Sequence, residues 1–416
     1  MSDIKPFRAY RPRPDLVQQV ACPPYDVLSS EEARRMAAGN PVSFLHVNKP
    51  EIDLDPAIDL HDDRVYLKGA ENLRRFIAEE VLIREAAPAF YVYQQIMGEH
   101  RQAGIVAGAS VEEYETDLIR KHEFTRRDKE DDRTRHTDEL NANAGPVFLT
   151  YRPLPEIDAL VDEVRLEPAL YDFTADDGIR HTVWAVIDPA TIAGIAAAFA
   201  RIPCCYVADG HHRSASAARV GRRRREENPH HTGREVYNYF LAVFFPADQL
   251  QIMDYNRVVK DLNGREPAAF LDAVRETFEV VAAADGPPVR PAAPNDFGMF
   301  LGNRWYRLTA RPGTFPADDP VRRLDVSILQ ENLIGPVLGI QDPRTDKRID
   351  FVGGIRGLGE LERRVREGWA VAFALHPTTI EQLLSVADAG RVMPPKSTWF
   401  EPKLRSGILV RSLAED

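Results

Sequence analysis

With 416 residues, 44% hydrophobic and 28% charged, the chain is long enough for two or three ordinary globular domains with a sizeable core. No apolar run reaches the roughly 18–20 residues that cross a bilayer, the N-terminus MSDIKPFRAYRPRP has no apolar signal region, and three cysteines make neither a disulfide framework nor a metal quartet; the reading is of a cytoplasmic protein. A formal net charge of -11 disfavours nucleic acid as a partner and leaves small anions as ligands wherever a local basic pocket gathers.

In chain order, Ser29 and Glu32 form a capping-box pattern and Gly39 suits the far end, predicting a helix over 30–38. Val42 to Val47 reads as a strand. Tyr66, Ala70, Leu73, Phe76 and Ile77 keep a helical period. Phe90–Met97 and Gly104–Val111, joined through GEHRQ, read as an antiparallel hairpin. Residues 118–142 are polar and helix-prone, and 146–151 is strand-like. A hairpin is expected over 171–187, a helix over 190–200, and a strand over 204–208. Tyr237 to Phe245 is a long buried strand. Helices follow at 267–278, 321–338, 358–367 and 378–387, with a hairpin at 299–308 and a strand at 369–375. Helices mixed with intruding hairpins argue for an α+β fold with mixed sheets. A division into 1–252 and 253–416 is expected.

Four stretches carry chemistry. In YVADGHHR (206–213) an apolar strand breaks at Asp209-Gly210 and a helix opens with His211, His212 and Arg213. Glycine lets backbone approach a ligand, free N–H groups and the helix dipole attract an anion, and a guanidinium fork matches phosphate oxygens. Asp209 is either a ligand for substrate or magnesium, or simply the N-cap. The same residues also fit an Asp-capped helix with exposed histidines. In IRKHEFTRRDKEDDRTRH (119–136) most charges suit a solvated helix face. The His122-Glu123 pair lacks the second histidine of a zinc-protease HExxH. Arg126 and Arg133 stand seven apart, two helical turns, and can face one ligand. In MPPKSTWFEPKLRSG (393–407) no GxxxxG precedes Lys396, so a P-loop is rejected, and Lys396 and Lys403 are either phosphate contacts or surface lysines. In CPPYDVLS (22–29) two prolines stiffen a turn presenting Tyr25 and Asp26, which either position substrate or pack and cap.

The stretches CPPYDVLS, KHEFT, YVADGHHR, LDVSILQENLI and MPPKSTWFEPKLRSG together resemble the domain-of-unknown-function 1015 family, and ADGHHRSASAA is similar to the phosphate-binding turn of the ParB/sulfiredoxin-like superfamily. The resemblance implies a kinase that moves a phosphoryl group from pyrophosphate, ADP or ATP to free L-serine or a similar metabolite; Mg2+ is the expected cofactor because it commonly bridges phosphate oxygens. For such a reaction Gly210, His211 and Arg213, with Arg126, Arg133, Lys396, Lys403, Tyr25 and Asp26, are the expected phosphate or substrate contacts. Glu123, or failing that Asp209, is the expected base, and His212 a proton carrier. The alternative is a ParB-like nucleotide-binding module associated with DNA; the acidic balance and the lack of a helix-turn-helix pattern weigh against it.

Overall fold

The computed structural model describes residues 2–284 and 286–414. They form two compact units. One runs to Leu250 and regains the segment from Pro402 on; the other is Gln251–Glu401. The sequence division kept the final segment with the second region. Its carbonyls and side chains instead bond to the first unit: Gln95 Nε2 donates to the Lys403 carbonyl at 2.9 Å, and Cys22 and Ser406 exchange backbone hydrogen bonds at 3.1 and 2.9 Å.

The first unit is organised by a mixed nine-stranded sheet. Its main members are β1 (Phe90–Met97), β2 (His100–Ser110), β3 (Val147–Tyr151), β4 (Arg180–Val186), β5 (Cys205–Asp209) and β6 (Tyr239–Pro246). The order is Ile119–Arg120, β5, β3, β6, β2, β1, β4, Tyr171–Thr174, with Ile4–Lys5 also pairing β2. The β5 to Ile119–Arg120 and β6 to β3 pairs are parallel; the other pairs are antiparallel. Both expected hairpins are present, and the α+β class with mixed sheets is observed. One sheet face packs Ile105, Ala107, Leu149, Val207 and Phe244 against Ile195 and Phe199. Alternation along each strand sends every second side chain to that face.

Helices α1 (Asp63–Ala78), α2 (Arg127–Leu140) and α3 (His211–Glu227) complete the part that matters for the site. The arginine run at the end of α3 is not merely a solvated tip. Arg222 donates to Glu115, and Arg224 donates to Asp138, Asn141 and the Leu413 carbonyl. Cys204 and Cys205 are free and buried, as expected of small core residues, and burial pushes the Cys205 thiol up to about 12.

Besides the helix-prone run 118–142, which is helical only over Arg127–Leu140, two expected elements differ. The stretch read as a strand over Val42–Val47 contains a helical turn, Leu45–Asn48, whose Leu45 and Val47 enter a cluster with Ala70, Leu73 and Phe76 of α1. A short apolar run does not reveal by itself which period it follows. The helix read over 321–338 is Asp325–Leu329 followed by a wider π turn, Gln330–Ile334.

The second unit is a six-stranded antiparallel sheet in the order Phe278–Ala282, Arg304–Ala310, Asp296–Leu301, Val371–Leu375, Tyr255–Val259, Ile349–Gly353. Val258, Phe300, Trp305, Leu361 and Ala372 form its core. Among the described residues no helix is long and apolar enough to cross a membrane.

Candidate functional site

The strand–glycine–helix turn forms as its sequence dictates. β5 is buried through Ala208, and its pairing with β3 shifts register between Val207 and Asp209, so the strand ends irregularly at the turn. Gly210 is the N-cap of α3, at φ 92° and ψ 30° in the left-handed region that glycine adopts without a Cβ penalty. A Cβ there would stand 3.1 Å from Arg213 Nε and 3.2 Å from Cζ. The turn therefore needs glycine twice, for its backbone and for the guanidinium laid over it. Glycine offers no side chain to cap the helix start. The positive end of the α3 dipole is left available to a ligand.

Arg213 faces inward. Its side chain is only 10% exposed, and it donates to the Pro146 carbonyl. Its NH2 lies 3.7 Å from Asp26 Oδ2 and 3.8 Å from Asp209 Oδ2, beyond the roughly 2.7–2.9 Å of a charge-assisted hydrogen bond. Its Nε is buried with no hydrogen-bond partner among the described residues. Burial alone would lower the guanidinium's pKa, but Asp26 and Asp209 outweigh it and raise it. Lys403 Nζ donates to Asp209 Oδ2 at 3.3 Å. Burial would raise the Asp209 carboxyl, yet Lys403, Arg213 and His211 together hold it well below the usual carboxylate range. Two cations, Arg213 and Lys403, and two carboxylates, Asp26 and Asp209, thus cluster at the turn, with the guanidinium Nε unpartnered among the described residues.

The second wall is the loop 121–126. Ile119 pairs with Cys205 and Arg120 with Tyr206 in parallel register, so KHEFT leaves the sheet beside the glycine turn. His212 Nε2 accepts from the Arg126 backbone N–H at 3.0 Å, tying this loop to α3. That bond occupies the Nε2 lone pair. Burial lowers its pKa. His122 and His211 meet edge to face, ring centroids 4.5 Å apart. Both are buried, and among the described residues both ring nitrogens of His122 and Nε2 of His211 have no hydrogen-bond partner of ordinary geometry. Burial pulls His122 down to about 4 and His211 well below the usual histidine value. Glu123 joins them, with one ligating atom from each residue inside a 4.8 Å group.

The remaining expected residues divide. Tyr25 and Asp26 stand beside Arg213 because the CPPYD turn is bridged to Ser406. Arg133 is not free for a ligand: it pairs with Asp132 at 2.8 Å, and its guanidinium stacks 4.1 Å from the Tyr25 ring centre. Arg126 turns to solvent and pairs with Asp128, so the two arginines do not face one ligand. Helix α2 starts only at Arg127, which removes the expected two-turn relation. Lys396 belongs to the second unit, where its Nζ lies 5.6 Å over the Tyr255 ring and its carbonyl accepts from Arg257 at 2.9 Å. His122 was missed as a site residue. Its signal was the His-Glu dipeptide, but the second imidazole comes from another strand's end.

Magnesium takes oxygen ligands and commonly binds through one or two carboxylates plus phosphate. Asp26 and Asp209 flank the same guanidinium nitrogen, and they are the residues that fit it. Bound there it would neutralise phosphate charge. The His122, Glu123 and His211 group is nitrogen-rich and does not suit it.

A family model described as "Protein of unknown function (DUF1015)" matches residues 4–327. The chain belongs to this family. The glycine turn, KHEFT and CPPYD of this DUF1015 chain lie within the match, and Lys403 lies beyond it. A comparison with curated proteins gives no match. Among solved structures the DUF1015 chain is similar to a free serine kinase in complex with AMP, at 11% identity and TM-score 0.37, covering 71% of this chain and 86% of that one. It is similar to C-terminally truncated SbnI from Staphylococcus aureus, at 10% identity and TM-score 0.39, covering 75% and 90%. It is also similar to a conserved hypothetical protein from Pyrococcus furiosus, at 13% identity and TM-score 0.36, covering 74% and 95%.

Proposed function

We propose that the turn Asp209–Arg213 cradles phosphate, and that the protein transfers a phosphoryl group from a small phosphate donor to the hydroxyl of a small metabolite. A nucleotide or pyrophosphate is the donor class. Free L-serine is the acceptor that the family resemblance implies. The observation that carries this reading is Arg213: it is buried over a left-handed glycine at an uncapped helix start, with Nε unpartnered and no carboxylate at hydrogen-bond distance. Another buried arginine, Arg411, also leaves Nε unpartnered among the described residues; what supports the reading at Arg213 is that its fork lies over the glycine of a helix start.

Phosphoryl transfer needs alignment, charge neutralisation and a base. Main-chain N–H groups of the α3 start and the Arg213 fork hold the phosphate. Lys403 adds positive charge from the Asp209 side. Asp209, held ionised by cations, is a weak base, so the hydroxyl proton passes to Glu123. The acceptor oxygen then bonds to phosphorus as the bond to the departing phosphate or nucleotide breaks. His212 keeps the 121–126 loop against α3.

The test is direct: incubate purified protein with magnesium, L-serine and, in turn, pyrophosphate, ADP and ATP, and assay O-phosphoserine by mass spectrometry. Product with one donor, lost in Arg213→Ala, supports the reading. No product with any donor refutes the serine kinase assignment.

A further inference from the structure

We propose that His122, Glu123 and His211 form a binding site for one divalent transition-metal ion of the zinc class. Their ligating atoms already fall within 4.8 Å of one another. The two imidazoles come from separate segments, the loop after Ile119–Arg120 and the start of α3, held together by the parallel pairing of Ile119 with Cys205.

A neutral imidazole has one N–H donor and one lone pair, and burial normally forces both to find partners. Here, among the described residues, three ring nitrogens of two buried histidines have no hydrogen-bond partner of ordinary geometry. The Val207 carbonyl is the backbone acceptor set against the His122 ring, outside the geometry of an ordinary hydrogen bond, so at most one His122 nitrogen is served by it. A metal ion on one nitrogen of each ring would satisfy those lone pairs. It would leave the second His122 nitrogen directed to a backbone acceptor, the usual support of a metal-bound histidine. Two imidazoles and one carboxylate suit zinc and its neighbours, and three protein ligands keep a coordination position open for an oxygen ligand. His211 follows Gly210 directly, so the cation would lie beside the anion turn. That consequence rests on the phosphoryl-transfer reading; the metal site does not.

The experiment uses the full chain stripped of metal by chelation. Zn2+ and Mg2+ are titrated calorimetrically, and Co2+ is followed by its visible absorption. Wild type is expected to take one Zn2+ or Co2+ tightly, and Mg2+ far more weakly. His122→Gln should lose at least the ~10–100-fold in affinity that removal of even an outer partner causes. Because His122 is buried, Glu123→Gln, on the loop and only partly buried, is the companion variant, with circular dichroism as the check on folding. It too should weaken Zn2+ binding and shift the cobalt spectrum. Wild type without stoichiometric Zn2+ or Co2+ binding, or Glu123→Gln binding as wild type does, overturns the proposal. Metal binding without phosphoserine formation leaves this site standing and removes the kinase reading; turnover without metal binding does the reverse.

Discussion

Gly210→Ala is the perturbation that separates geometry from charge at the turn, because it keeps every ionisable group in place. Two costs follow from the structure. Alanine at φ 92° carries the left-handed penalty, about 1–2 kcal/mol. Its Cβ would also stand 3.1 Å from Arg213 Nε and 3.3 Å from NH2, closer than comfortable contact. The neighbour is the end of a flexible side chain, so the fold survives and the guanidinium is displaced. For a unit of this size, 1–2 kcal/mol lowers the melting temperature by about 2–8 °C. A displacement approaching 1 Å of a phosphate-positioning fork costs on the order of 10²-fold in rate. The assay pairs phosphoserine formation under saturating donor with a thermal melt. Turnover within twofold of wild type, or a loss no larger than the unfolded fraction accounts for, would refute the claim that the Arg213 fork must lie over Gly210.

Lys403→Ala removes a charge-assisted hydrogen bond to Asp209, worth about 1.5–3 kcal/mol, and should raise the donor KM about 10–100-fold while circular dichroism stays native; an unchanged KM would place Lys403 outside donor binding. Asp325 in the second unit titrates in the opposite sense to a salt-bridged acid. Burial pushes its carboxyl from 3.8 up to about 7, with Oδ2 unpartnered, so the folded state holds its proton more tightly than the unfolded chain. Stability from this group is full below about pH 4 and is lost as pH rises toward 7, by an upper bound of about 4 kcal/mol. Asp325→Asn should remove that slope, so the stability gap between variant and wild type widens in the variant's favour from pH 4 to 8; a pH-independent gap contradicts the assignment. His212→Ala frees the Arg126 amide and should make the 121–126 loop exchange its amide protons faster while leaving β5 protected; unchanged exchange would deny His212 its positioning role.

Much of the frame was legible because it is local. A glycine between an apolar strand and a basic helix start fixes the β5–α3 turn, and the Ser29–Glu32 capping box appears as written. The hairpins follow from alternation and turn residues. What escaped depends on contacts distant in sequence. Phe44, Leu45 and Val47 carry strand-forming side chains, yet packing against α1 turns the stretch helical. The polar run 118–142 holds no marker for where α2 begins, so the non-helical loop with Glu123 was invisible. The meeting of His122 with His211 requires a two-residue parallel pairing that no local pattern announces. Arg126 and Arg133 looked alike in sequence, but Asp128 claims one at the surface and Asp132 with Tyr25 claims the other inside.

The most direct measurement is calorimetric titration of the wild-type chain and of Arg213→Ala with pyrophosphate in the presence of magnesium, at fixed ionic strength. An anion cradle built on Gly210 and Arg213 predicts saturable binding by wild type and a loss of about 10²-fold or more in the variant, the value of one or two charge-assisted bonds. Equal binding by the two proteins would contradict it.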